Sequence, residues 1–95
     1  MRTLRLELTL SDYERWKEAF DNDPVGRREH GVQAHRILRS LDDPNFVVVD
    51  LELDDGEQAD SLRAALTDLW DRAGDAIGMQ AGTARLFERV ESKDY

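Results

Sequence analysis

The sequence predicts an α+β domain in which two helices cover one face of a four-stranded antiparallel sheet, and three observations carry that prediction. Residues 4–10 read Leu-Arg-Leu-Glu-Leu-Thr-Leu, so every second side chain is leucine and the intervening Arg5, Glu7 and Thr9 are polar. A period of two is that of a strand buried on one face. Residues 46–53 repeat the alternation, with Val47, Val49, Leu51 and Leu53 on one side and Phe46, Val48, Asp50 and Glu52 on the other. Two further stretches carry apolar residues three and four apart, the spacing of a helix with one apolar stripe.

In chain order, Ser11-Asp12-Tyr13-Glu14 follows the first strand and predicts a helix opened by a Ser11 cap with Glu14 in the reciprocal position. Tyr13, Trp16 and Phe20 form its apolar stripe, and Asp21-Asn22-Asp23-Pro24 ends it. Asp23 then caps a second short helix over residues 24–30, with Pro24 at its first position and Gly31 beyond its end. Residues 32–41 read as a strand, and Asp42-Asp43-Pro44-Asn45 as the turn of a hairpin into residues 46–53. Asp55 is the expected cap of the next helix, with Gln58 in the reciprocal position; Ala59, Leu62, Ala65, Leu66, Leu69 and Ala73 make its buried stripe, and Gly74 ends it. A loop holding Gly78 and Gly82 leads to a last strand at 83–90, within a single domain spanning 1–95 whose residues 90–95 form a charged tail. The order βαββαβ is the split arrangement called ferredoxin-like. Both helices lie on the leucine and valine face, which leaves Ile37, Phe46, Val48 and Phe87 together on the other, an apolar patch that a partner sheet would cover.

Composition removes several classes of function. Residues 1–41 hold 8 basic and 7 acidic side chains, whereas 42–95 hold 5 and 14, so the chain lacks the basic surplus with which nucleic-acid binders displace counterions. No apolar run approaches the roughly 18 residues of a membrane span, and the N-terminus lacks the apolar stretch of a signal peptide, so a cytoplasmic location is expected. Without cysteine there is no disulfide, thiolate nucleophile or iron–sulfur ligand.

The chain resembles the dimeric α/β-barrel superfamily, which includes antibiotic-biosynthesis monooxygenases, haem-degrading monooxygenases and muconolactone isomerases. The resemblance is carried by Leu8-Thr9-Leu10-Ser11-Asp12-Tyr13 with Trp16 and Phe20, by Gly31-Val32-Gln33-Ala34-His35-Arg36, by residues 42–49, and by Ala84-Arg85-Leu86-Phe87-Glu88. It implies a homodimer joined through the uncovered sheet faces and a small-molecule ligand held under the helices or in the barrel. The haem-degrading members use an asparagine on the first strand and a histidine on a helix. This chain has Glu7 and Thr9 on that strand and no histidine in 57–73, so no haem or other cofactor is expected. The cofactor-free monooxygenases of the superfamily use asparagine, tryptophan and arginine to hold a phenolic substrate; Trp70 and Arg85 match two of these, while Asn22 and Asn45 both lie in turns.

A four-residue hairpin loop at 42–45 sets His35 opposite Glu52, Ile37 opposite Asp50 and Arg39 opposite Val48. His35, Asp50 and Glu52 then share a face with Arg5, Glu7 and Arg85, and a histidine fixed by a carboxylate is a candidate general base. A loop one residue longer or shorter sends His35 to the helix side instead. The plainer use of these charges is pairing across a dimer interface, and a metal on His35, Asp50 and Glu52 is a further arrangement these ligand types allow. No metal motif, phosphate loop or nucleophile elbow is present, and His30 needs no role beyond the end of its helix. Trp16 and Trp70 fit core packing, although Trp70, at its stripe edge, can also wall a pocket for a planar ligand. Arg27, Arg28, Arg36 and Arg39 either attract an anionic metabolite or balance the acidic second half.

The expected function is a cofactor-independent monooxygenase-like or cyclase-like protein acting on an aromatic or polyketide-type compound. His35 and Arg85 are the catalytic candidates, with Trp70, Asp50, Glu52 and Glu7 around the substrate and no metal. The alternative is a non-catalytic dimeric binding or structural protein whose sheet interface is salt-bridged.

Overall fold

The computed structural model describes residues 1–54 and 56–95. Its elements are β1 (Arg2–Leu10), α1 (Tyr13–Asp21), a 3-10 turn (Arg28–His30), β2 (Ala34–Arg39), β3 (Phe46–Leu53), α2 (Gly56–Ala73) and β4 (Met79–Glu88). The strands form one antiparallel sheet in the order β2-β3-β1-β4, the ferredoxin-like arrangement expected from the alternating strands. Leu4, Leu6, Leu8 and Leu10 of β1 lie beside Val47, Val49, Leu51 and Leu53 of β3, and Trp16 of α1 with Ala59, Leu62 and Leu66 of α2 completes the buried layer. Burying each such aliphatic side chain contributes about 1.5–3 kcal/mol. The leucine period of β1 therefore supplies much of the sheet's adhesion to the helices.

Several boundaries move from their sequence-based positions, each for an identifiable hydrogen bond. Asp12, not Ser11, caps α1: its backbone is extended and its carboxylate accepts from the Arg15 N–H at 3.1 Å. Ser11 is held in the strand exit, its N–H donating to the Gly78 carbonyl at 2.8 Å. The short helix expected over 24–30 contracts to the 3-10 turn. Asp23 does cap the segment, its two carboxylate oxygens accepting from the Arg27 N–H at 2.9 and 3.1 Å. Gly31 follows the turn at φ 84°, and His30 Nδ1 lies 3.0 Å from the Gly26 carbonyl, the terminal role foreseen for it. The expected Asp55 cap lies outside the described residues. Strand β4 starts at Met79 rather than 83, because residues 79–82 pair with the end of β1 although none is β-branched.

The hairpin carries the most consequential difference. Ser40 pairs with Phe46 through Ser40 N–H to Phe46 O (3.0 Å), so the loop holds five residues, 41–45. The Ser40 hydroxyl accepts from the N–H groups of Asp42 and Asp43, the Asp43 carboxylate accepts from the Asn45 N–H, and Phe46 N–H closes a turn onto Asp43 O with Pro44 inside it. Leu41 is left fully exposed. The extra residue inverts the parity of β2: Ala34 faces Glu52, His35 faces Leu51 and Ile37 faces Val49. The expected pairings of His35 with Glu52 and Ile37 with Asp50 are therefore corrected. Ile37 packs on the helix side, and Leu38 takes its place on the outer face.

Candidate functional site

The parity of β2 divides the expected site residues between the two faces of the sheet. Asp50, Glu52, Glu7 and Arg85 lie on the outer face, whereas His35 and Trp70 lie on the helix side. His35 has no carboxylate partner across the strands, and the His35, Asp50 and Glu52 set is split by the sheet. Arg85 and Trp70 likewise do not meet within one chain.

Beneath the helices an apolar cleft of about 40 Å³ opens between Leu6 and Leu8 of β1, Trp16 and Phe20 of α1, and Leu66 and Trp70 of α2. Gly82 positions Trp70: a Cβ there would stand 3.2 Å from Trp70 Cε3 and 2.9 Å from Leu8 Cδ2, so only glycine lets the indole lie this close to β4. The aromatic rings form a chain across α1, with Trp16 5.9 Å from Tyr13 and 5.2 Å from Phe20 between centroids. His35 ends that chain, edge-on to Phe20 at 5.1 Å and 79°. Partial desolvation holds His35 below the ordinary histidine value; the positive charges of Arg27 and then Lys17 push it the same way, against Asp21. Both effects disfavour the imidazolium and favour the neutral ring, whose free nitrogen can accept a proton.

Arg27 stands where the cleft meets the polar segment after α1. Its guanidinium donates to the Phe20 carbonyl at 2.7 Å, lies 3.8 Å from the centre of the Phe20 ring, and pairs with Asp23 at 3.5 Å. Asp23 adopts φ +52° to reach this position, a conformation that aspartate tolerates better than most residues. The same Arg27 borders a polar groove of about 230 Å³ that also takes in Arg28, Gln33 and His35. Composition presented Arg27 and Arg28 as residues that attract an anionic metabolite or balance the acidic second half, without placing either at a site; the usable signal was Asp23 four residues before Arg27, a local cap that aims the chain.

On the outer face, Arg5 makes a bidentate pair with Asp50 at 2.8 and 2.9 Å, and this bond and charge hold the guanidinium above its ordinary pKa. Glu52 receives Arg36 at 3.1 Å and Arg89. Arg85 stands directly opposite Arg5 across the strands, a like-charge pairing, and makes no ion pair among the described residues. Leu38 and Phe87 on the same face are 52% and 45% exposed, so apolar surface there is uncovered.

No protein-family model matches the chain, and no curated protein matches it. Solved structures do match along nearly its whole length. SnoaB, a cofactor-independent oxygenase from Streptomyces nogalater, aligns with 96% of this chain and 94% of its own at 18% identity and a TM-score of 0.71. A Nitrosomonas europaea protein, provisionally assigned as an antibiotic biosynthesis monooxygenase, covers 96% and 100% at 21% identity and a TM-score of 0.67. Rv0793 from Mycobacterium tuberculosis covers 99% and 100% at 11% identity and a TM-score of 0.65. The fold is thus that of the antibiotic-biosynthesis-monooxygenase structures. No helix among the described residues is long and apolar enough to cross a membrane.

Proposed function

We propose that the protein binds a planar aromatic or polyketide-type molecule under its helices and acts on it as a cofactor-independent monooxygenase or cyclase, working as a homodimer joined through the outer sheet face. The observation that carries this reading is the apolar cleft walled by Trp16, Phe20 and Trp70 and bordered by the Arg27 guanidinium, with His35 edge-on to Phe20 in the adjoining groove. Oxygenation of a phenol without a cofactor needs a base, a nearby cation and a dry apolar space, because the electron-rich phenolate itself reduces oxygen. In balance, a phenol and O2 give a quinone and water: one oxygen atom bonds to a ring carbon, and the other leaves as water with the hydrogen of that carbon and the hydroxyl hydrogen. In this reading His35 takes the first proton and Arg27 favours the developing anion.

At 40 Å³ the cleft as it stands admits little more than a water or two. In this reading a planar ligand requires α1 to move outward against its Trp16 anchor. The closed cleft also favours the rival reading, a non-catalytic dimer, and one titration separates the two. Both tryptophans line the cleft, so 1-naphthol should quench the intrinsic fluorescence saturably, Trp70→Ala should abolish that binding, and His35→Gln should keep binding while losing oxygen uptake with an anthrone. Absence of saturable quenching at millimolar naphthol would favour the rival. His35 also sets a pH dependence. The unfolded chain binds its proton near the ordinary value of 6.5, above the folded value, so this part of the stability is complete above 6.5 and lost as pH falls through the folded value. Melting temperature should decline accordingly on acidification, and less steeply in His35→Gln.

For the dimer, Leu38→Glu places a carboxylate in the uncovered apolar patch without removing any ion pair. Light scattering at tens of micromolar should give twice the chain mass for the parent protein and a folded monomer for the variant. A parent protein that stays monomeric would overturn the interface.

A further inference from the structure

We infer that the groove between the 3-10 turn and β2 is a carboxylate subsite continuous with the apolar cleft, and that the ligand is an aromatic acid whose ring lies under α1 while its carboxylate is held by Arg28. This rests on the cleft being the ligand site, as proposed above. Arg27 lines both spaces, so the cleft and the groove adjoin at its side chain.

The charges in the groove are unevenly spent. Asp23, the acidic residue of its lining, already accepts from the Arg27 N–H with both oxygens and pairs with the Arg27 guanidinium at 3.5 Å. Asp21 is engaged by Lys17 at 2.7 Å. Arg28, by contrast, makes no ion pair or side-chain hydrogen bond among the described residues, in a chain whose net charge is −8. A guanidinium left without an anion in so acidic a protein, on the wall of a 230 Å³ groove, is placed to receive one. Its planar fork suits a carboxylate. Of the remaining lining groups, the Gln33 amide is committed to Asp54 at 2.6 Å, and His35, whose charged form is disfavoured, can add one N–H donor. One uncommitted positive charge and one neutral donor match a monoanion better than a phosphate dianion, which would call for a second cation.

The test compares 2-naphthoic acid, its methyl ester and hexanoate. By tryptophan quenching the acid should bind roughly tenfold more tightly than the ester, and Arg28→Gln should erase that preference without altering affinity for the ester. Equal affinities in the parent protein would overturn the subsite and leave the cleft standing. Hexanoate reads the groove alone: in 1H–15N spectra it should shift the signals of residues 27, 28, 33 and 35 saturably, and Arg28→Gln should abolish the shifts. Those shifts without naphthoate quenching would retain the anion site and overturn the cleft as the aromatic site. Shifts that are absent, diffuse or unchanged by Arg28→Gln would overturn the subsite. Arg28 is exposed, so the variant is expected to fold as the parent does.

Discussion

Trp16→Ala is expected to destabilise the protein by about 3–5 kcal/mol, the range for emptying a buried aromatic site. Trp16 is 3% exposed and is the buried residue of α1, so the helix is anchored to the leucine face chiefly through this ring. Its loss also removes the middle of the chain Tyr13, Trp16, Phe20 and His35, so the neighbouring rings lose a packing partner as well. Thermal denaturation followed by circular dichroism should show the melting temperature falling by more than about 12 °C, given some 4–8 °C per kcal/mol for a domain of this size. Trp16→Phe, which keeps an aromatic plate in place, should recover a large part of the loss. A shift of only a few degrees in Trp16→Ala would mean that α1 is held by something other than its aromatic stripe.

Gly78→Ala should cost on the order of 3 kcal/mol, through two effects of similar size. Gly78 sits at φ +79°, where a Cβ is strained, and that Cβ would stand 2.5 Å from the Asp12 carbonyl and 3.2 Å from the Trp16 N–H, both backbone atoms that cannot rotate away. The Gly78 carbonyl also accepts from the Ser11 and Asp12 N–H groups, which ties the start of β4 to the start of α1. Urea denaturation should show the midpoint falling with the slope unchanged. At Gly74, whose Cβ would stand 2.7 Å from the Trp70 carbonyl, alanine should also destabilise, but without the penalty of a positive φ. A near-neutral Gly78→Ala would show that this junction relaxes and does not fix the orientation of α1.

The two halves of the candidate site differed in how far they could be read from residues. Trp70 was legible as a pocket wall because its place at the edge of the α2 stripe follows from helical period alone. The outer-face positions of Glu7, Asp50 and Glu52 were legible because they alternate with leucines and valines that must be buried. His35 was not, since its side of the sheet depends on whether the hairpin loop holds four residues or five. The deciding bonds are made by Ser40 and Asp43 side chains to backbone N–H groups in the turn. The position of Arg27 was not legible for a related reason: its place over Phe20 follows from Asp23 folding back at positive φ, a conformation with no periodic signal.

The sequence by itself determined the sheet, its two covering helices and the side of β1 and β3 that forms the core. Burial of leucine and valine is worth far more than any alternative use of a two-residue or 3.6-residue period, and so these patterns admit one solution. The tertiary structure alone decided the parity of β2, the entry of residues 79–82 into β4 and the meeting of Phe20, Arg27 and His35 beside the cleft. Each of these turns on a few hydrogen bonds in a connection, worth about 1 kcal/mol apiece, which local composition does not rank. A single residue in the 41–45 loop thus moved the candidate base from the outer face to the helix side, edge-on to Phe20.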